Sequence, residues 1–377
     1  MKLQRTPKIS AITFILILGA CTYGNSNNTP TSANSPQGSW YNLAVIPLFQ
    51  QDIAYVTSVT AYNNQVALGA KNSAPIVFTC QYQLNFCATN TISSFMPNGE
   101  AVNALKFDHS NNLWSSFASP SGGLYNTSSS YFYELFSTNN RWLYFNYNYG
   151  VYNAIDTASN GTVAYAGTTK LSGIPDGLGE LLVITSFFPN DRSNWYYNYN
   201  AQSHTAVTSD GLSNLYIGGI SSDPAESGAA VVWQFNSSAS AFANFNKIQA
   251  LPQFSAISTM TSNNNGILYI AATNFSYASE VWQYHQGVAK NLNFIGYQVS
   301  AMTYSAQGYL LVAGLDSSYQ PQVFSYNPQI ESWTSMNISD SPTLLTDITA
   351  DPISNIIYVS GAVAGNIPSV WYFAESK

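Results

Sequence analysis

The chain has 377 residues, 46% of them hydrophobic and only 8% charged, with a formal net charge of −7. Globular domains usually carry ~25% charged residues; with 11 Lys and Arg in all the chain cannot neutralise many phosphates, so a nucleic-acid partner is excluded. The apolar fraction and an aromatic content of 15%, including 27 Tyr, exclude a disordered chain and provide for one large or two ordinary domains.

Residues 1–8 hold Lys2, Arg5 and Lys8, and "ISAITFILILGAC" follows as an apolar run ending at Cys21. A membrane-spanning helix needs ~20 apolar residues, so the run reads as the core of a signal peptide. Leu18-Gly19-Ala20-Cys21 resembles a bacterial lipobox. That resemblance implies a lipoprotein signal peptide over residues 1–20, cleavage before Cys21 and lipidation of its thiol. Thr22 in place of Asp implies anchoring in the outer membrane, periplasmic or surface-exposed. Removing the first 20 residues takes away three cations and no acid, leaving −10. Residues 21–38, rich in Asn, Ser, Thr and Pro without apolar periodicity, read as the lipidated Cys and a flexible tether.

Beyond the tether, seven segments align on Val59, Leu105, Ile155, Val207, Met260, Met302 and Ile348, spaced by 46, 50, 52, 53, 42 and 46 residues. This brackets the ~40–50 residues of propeller-blade repeats. Each segment reads as two strands around an Asn-, Gly- or Ser-rich turn. Two positions before the aligned residue stand Thr57, Asn103, Asn153, Thr205, Ser258, Ser300 and Thr346, and five of the seven positions just after it are Thr. A third strand follows ("VVWQF", "EVWQY", "QVFSY"), then in most repeats a fourth marked by an aromatic such as Trp142 or Trp333. No useful helical periodicity occurs in residues 40–377. The last repeat stops after its third strand, "SVWYF", and Ser39-Trp40 matches Ser332-Trp333. Residues 39–46 are therefore expected as the outermost strand of the last blade, covering an edge that would otherwise invite aggregation. Residues 39–377 are thus expected as an all-β, seven-bladed β-propeller of four-stranded antiparallel blades, closed one-plus-three by its N-terminal strand.

The small pairs Gly218-Gly219 and Ala313-Gly314, the later Tyr284 and Tyr326, and the outer Trp142, Trp195 and Trp333 resemble the kelch and galactose-oxidase-like propellers. In that family one-plus-three closure is common. "FDHSNNLWSS" looks instead like a repeat of sensor-type propellers.

Cys80 and Cys87, in "FTCQYQLNFC", fall on adjacent strands around a turn. Directly opposed residues on adjacent strands meet the spacing of a disulfide, which export would allow to form; a structural disulfide is favoured over a redox or metal pair.

His109, His204 and His285 belong to different repeats, so no metal site is expected, and no cofactor. HExxH, GxSxG, P-loop and dinucleotide fingerprints are missing. A copper site of the galactose-oxidase kind would need more His and Cys, and a sialidase would need an arginine triad where residues 39–377 hold only Arg141 and Arg192. Carboxylate pairs could cleave glycosides. Asp156, Asp176, Glu180, Asp316 and Asp347 are the candidates, with Asp156 and Asp347 both on expected innermost strands.

The aromatic signal is "RWLYFNYNYGVYN" and "NWYYNYN", where Tyr alternates with Asn in connections from an outer strand to the next inner one. Such connections gather at one mouth of a propeller. Tyr147, Tyr149, Asn103, Asn153, Tyr197 and Tyr199 are the binding candidates, suited to a neutral polyhydroxylated ligand or a protein surface. The reading is a monomeric, outer-membrane-anchored envelope lipoprotein whose propeller is a non-catalytic binding or scaffold module for protein or glycan. A carboxylate-based glycan hydrolase or lyase at the propeller mouth, and a purely structural envelope component, are the alternatives.

Overall fold

A computed structural model describes residues 36–43, 55–71, 76–81, 86–91, 101–118, 130–135, 142–147, 150–169, 178–184, 193–211, 214–226, 228–236, 244–338 and 340–375. The expected signal peptide, Cys21 and most of the tether lie outside these residues. Among the described residues there is no helix. The repeat pattern of apolar alternation and Asn-Gly turns becomes strands throughout.

β1 (Gly38–Asn42) is the first strand among the described residues. β2 (Tyr55–Tyr62), β3 (Gln65–Lys71), β4 (Ile76–Gln81) and β5 (Phe86–Thr91) form an antiparallel meander, as do β6 (Ala101–Phe107), β7 (Leu113–Ala118), β8 (Ser130–Leu135) and β9 (Trp142–Tyr147). These two meanders share one eight-stranded sheet through the pairing of Lys71 with Ala101. Four-stranded sheets follow: β10 (Gly150–Thr157) to β13 (Ser193–Asn198) through β11 (Val163–Thr169) and β12 (Leu178–Ile184), then β14 (Ala201–Ser209) to β17 (Phe245–Leu251) through β15 (Leu215–Ser221) and β16 (Ala230–Phe235). Next come β18 (Ala256–Ser262), β19 (Leu268–Thr273), β20 (Ser279–His285) and β21 (Val288–Asn291), and β22 (Gln298–Tyr304), β23 (Leu310–Leu315), β24 (Pro321–Asn327) and β25 (Ser332–Met336). In the last sheet β26 (Leu344–Ala350), β27 (Ile357–Val363) and β28 (Ile367–Glu375) are joined by β1.

The seven-bladed expectation is corrected by this pairing. The strands hydrogen-bond into six sheets, so the propeller is six-bladed, and one blade is an eight-stranded sheet. The sequence shows two repeats there, and no repeat pattern reveals that the end of β3 pairs with the start of β6. The innermost strands β2, β6, β10, β14, β18, β22 and β26 each pack against the next, and β26 packs against β2. They enclose a central channel.

β1 runs antiparallel to β28 with Trp40 opposite Phe373. The Trp40 and Phe373 rings meet edge-on at 5.3 Å, and Tyr41 stacks on Tyr372 at 5.2 Å. Just past the strand, the Leu43 amide donates to the Val370 carbonyl at 2.8 Å, and its side chain is buried among Val56, Tyr358 and Val370. The first and last described strands are thereby held in one sheet.

Every innermost strand carries a β-bulge at the same point of its repeat. The extra residues are Thr57, Asn103, Asn153, Thr205, Ser258, Ser300 and Thr346, the polar positions of the repeat pattern. A bulge bends the strand and leaves one residue out of the ladder. The small pair Gly218-Gly219 on β15 is explained by this geometry. A Cβ on Gly218 would sit 2.6 Å from Ile257 of the next sheet, and one on Gly219 would overlap the Ser203 carbonyl oxygen beside the bulge. Main chain cannot step aside as a side chain can. Gly219→Ala is expected to cost about 3 kcal/mol, the upper range for overpacking, measured by urea unfolding; an unchanged midpoint would refute the close approach.

Candidate functional site

The seven bulge residues ring the channel, a cavity of about 370 Å³. Several of their side chains satisfy backbone carbonyls. Asn103 Nδ2 donates to the Tyr152 carbonyl at 3.1 Å, Thr205 Oγ1 to that of Ile257 at 2.6 Å, and Thr346 Oγ1 to that of Val56 at 2.6 Å. In each case the acceptor is the residue just before the bulge of the neighbouring sheet. Thr57 and Ser258 instead donate to Gly69 and Ala271 on their own second strands. Asn103, a binding candidate on sequence grounds, therefore ties two sheets together, whereas Asn153 is exposed in the channel lining.

Three residues deeper lies a second ring. Thr60, Thr208, Thr261, Thr303 and Thr349 supply hydroxyls, and the two remaining positions are Lys106 and Asp156 on neighbouring strands. These two pair, with Lys106 Nζ 2.9 Å from Asp156 Oδ1. The other Asp156 oxygen accepts from the Ser209 amide at 2.7 Å and from Thr208 Oγ1 at 3.2 Å. The Asp156 carboxylate holds Lys106 above the ordinary lysine range against the opposing effect of burial, and Asp347, two innermost strands away, adds to this.

Asp347 sits one place past the bulge of β26, where other repeats carry a small residue or Thr. It accepts from the Val59 amide at 2.8 Å and Ser58 Oγ at 3.0 Å, and its other oxygen from the Ile348 amide at 2.8 Å. Ser58 Oγ in turn accepts from the Leu105 amide at 3.2 Å, so one hydrogen-bonded chain crosses three innermost strands. Burial pushes the Asp347 carboxyl up to about 6; the two amides, Ser58 and Lys106 pull it back toward the normal range. Asp156 and Asp347 thus share one channel; Asp347 spends its oxygens on main-chain amides and a hydroxyl, and Asp156 on an amide, a hydroxyl and the Lys106 ammonium.

The turns between first and second strands are closed by the same chemistry. Asp351 accepts from the Asn63 amide at 3.1 Å and the Asn64 amide at 2.7 Å, linking the last sheet to the first, and from Ile353 and Ser354 of its own turn. Asp108 accepts from the Ser110 and Asn112 amides and from Trp114 Nε1 at 3.0 Å.

His204 lies away from the channel. It is fully buried between the Trp233 and Phe245 rings, at 5.6 and 5.3 Å. Its Nδ1 is 3.2 Å from the Glu180 carbonyl oxygen and its Nε2 3.2 Å from Asn198 Nδ2. A neutral ring protonated on Nδ1 satisfies both contacts. Burial pushes its pKa down to about 4, against the Glu180 carbonyl, which raises it. It is a core residue rather than a ligand. Among the described residues no group of three or more His, Cys, Asp and Glu could hold a metal ion.

Of the tyrosine candidates, Tyr197 is on β13, an outer strand, and Tyr199 is exposed in the turn after it; neither lines the channel. Tyr147 ends β9, and Tyr149 lies outside the described residues. Cys80 on β4 is buried and stands directly opposite Cys87 of β5 in register. Sequence reasoning missed Lys106, although it is the single cation within the aligned Thr column. It also missed an aromatic group on loops of the fourth and fifth sheets, around Tyr277 and Tyr319.

A β-propeller domain of Cps50 (Swd1) from Myceliophteria thermophila superposes with a TM-score of 0.57 over 85% of this chain and 97% of that one, at 9% identity. The fold is that of a β-propeller. An acylaminoacyl peptidase from Pyrococcus horikoshii superposes at 0.59 over 86% of this chain, at 8% identity, and this chain spans 51% of the peptidase. A chain of the mitotic checkpoint complex gives 0.54 at 14% identity over 99% of this chain and 100% of its own. No protein-family profile and no curated protein matches the sequence. At these identities the likeness is one of fold alone.

Proposed function

We propose that the chain is a bacterial cell-envelope lipoprotein, anchored through Cys21 in the outer membrane, whose kelch-like propeller binds a protein or glycan ligand without catalysis. The observation that carries the non-catalytic reading is the state of the channel carboxylates. A general acid or a nucleophile needs an oxygen free to meet its substrate. Asp156 is held by Lys106, Ser209 and Thr208, and Asp347 by Val59, Ser58 and Ile348. These contacts suit struts between sheets better than a reacting pair. In this reading the mouth beside Asn153, with the tyrosines at 147, 149, 197 and 199, receives the ligand. The opposed positions and the burial of Cys80 support a Cys80–Cys87 disulfide in an oxidising compartment.

Two measurements test this. Fatty-acid labelling is expected to mark the full-length chain in a bacterial host and to vanish in Cys21→Ser; persistent label refutes the anchor. Chromogenic glycosides are expected to show no turnover above background. Turnover by the wild type that Asp156→Asn or Asp347→Asn abolishes would establish the hydrolase instead.

A further inference from the structure

Two loops of the fourth and fifth sheets are copies of each other. In residues 274–278 the Asn274 side chain accepts from the Ser276 and Ala278 amides, and the Asn274 amide donates to the Ala278 carbonyl. In residues 316–320 Asp316 plays the same part toward Ser318 and Gln320. The fourth residue of each loop, Tyr277 and Tyr319, is left-handed, with φ of +65° and +60°. This region is uncommon for bulky residues and favours Gly and Asn. Seven of the twelve non-glycine residues found there among the described residues are Asn, and these two are its only aromatics. The last sheet's loop at residues 363–367 has Asn366 at the same place, at φ +57°. A strained tyrosine repeated on two adjacent sheets, where Asn serves elsewhere, points to a use for its side chain.

The rings face outward. Tyr277 is 71% exposed, Tyr319 61%, and Phe275 on the same loop as Tyr277 75%. Tyr297, on the connection into β22, joins the loops: its hydroxyl donates to the Ser276 carbonyl at 2.6 Å and its ring meets Tyr319 edge-on at 4.7 Å. These loops lie at the end of the sheets where first strands begin, the end of the channel that holds the bulge ring. Aromatic faces in such number on an open surface mark an interaction site. Charge narrows the ligand. Residues 274–278, 292–298 and 316–320 contain no Lys or Arg and a single acid, Asp316. No phosphate, sulfate or carboxylate would find a counter-charge there, while flat rings beside hydroxyls and amides fit the C–H faces and hydroxyls of a sugar.

We infer that Tyr277, Tyr297, Tyr319 and Phe275 form a platform for a neutral polysaccharide. This rests on the reading of the propeller as a binding module, and names its ligand class and its face. The test is affinity gel electrophoresis of the whole folded chain in gels containing a soluble β-glucan, xylan or mannan, with dextran sulfate as the anionic control. At least one neutral polymer is expected to retard the wild type. Tyr277→Asn with Tyr319→Asn, the residue the last sheet uses, is expected to weaken that binding at least tenfold and to leave Tm equal or higher. Retardation by dextran sulfate alone, none by any neutral polymer, or full binding by the double variant would overturn the platform. So would capture of an envelope protein that the double variant loses while no polymer binds; that result would leave the binding-module reading standing. Saccharide turnover would bring down the non-catalytic reading instead, with the platform judged separately by its retardation.

Discussion

Replacing His204 with Leu is expected to remove an acid-sensitive term from the stability of the fold. In the folded chain the ring resists protonation down to about 4, whereas in the unfolded chain it takes a proton near 6.5. A depressed folded pKa contributes stability that is whole above 6.5 and lost as pH falls toward 4. At ~1.4 kcal/mol per unit, the loss is about 3 kcal/mol. The leucine side chain has no proton to take up. The stability of the variant minus that of the wild type, from urea unfolding, should therefore rise by about 3 kcal/mol between pH 6.5 and 4. At pH 7 the variant should be the weaker protein, because the Asn198 amide and the Glu180 carbonyl lose their partner. A difference that stays flat with pH would mean that the ring is charged or solvated in the folded protein.

Asp347 works in the opposite direction over nearly the same window. Its folded pKa of about 6 lies above its usual 3.8, so it favours the folded state as pH falls through 6, by about 2 kcal/mol once its open channel side is allowed for. The two groups offset each other in the wild type, and only variants of one or the other uncover either slope.

Leu43→Ala is expected to lower stability by about 3 kcal/mol and Trp40→Ala by about 2 kcal/mol, since Leu43 is buried and Trp40 only partly so. Both residues belong to the closing segment, whose loss bares the hydrogen-bonding edge of β28. An unpaired strand edge is a template for another chain. Together the two substitutions should bring concentration-dependent self-association, visible by light scattering well below the unfolding midpoint. A double variant that unfolds at the wild-type midpoint and stays monomeric would show that the propeller holds without its clasp.

Much of this architecture is readable from residues. The alternation within each repeat, the polar turns and the match of Ser39-Trp40 with Ser332-Trp333 lead to propeller strands and to β1 beside β28. The sheet count is not readable, because it turns on whether Lys71 and Ala101 approach within bonding distance, a matter of loop path rather than of pattern. The polar column at Thr57, Asn103 and their equivalents is plain in the sequence, but its role is not. Hydroxyls and amides facing a channel look like a ligand site until Thr205 and Thr346 are seen bonded to carbonyls of the next sheet. Burial hid His204 for a similar reason, since a lone histidine within a repeat gives no sign of the Trp233 and Phe245 rings around it. Tyr277 and Tyr319 left a faint trace: Asn-Phe-Ser-Tyr and Asp-Ser-Ser-Tyr place an aromatic where an Asx-turn loop ordinarily puts Asn or Gly.

Apart from the Lys106–Asp156 pair and the hydroxyls of Ser58 and Thr208, many bonds around the hub end on main-chain atoms. Asn103, Thr205 and Thr346 each reach a carbonyl, and Asp156, Asp347 and Asp351 each collect amides. Every amino acid offers such a carbonyl, and all but proline such an amide, so the partner side of each of these main-chain bonds is largely indifferent to substitution. Only one short polar residue per turn of the wheel has to be kept, and Ser, Thr and Asn can trade places there. A scaffold wired in this way leaves most of its letters free, in keeping with a fold that superposes at 8–14% identity on an acylaminoacyl peptidase and on a chain of the mitotic checkpoint complex.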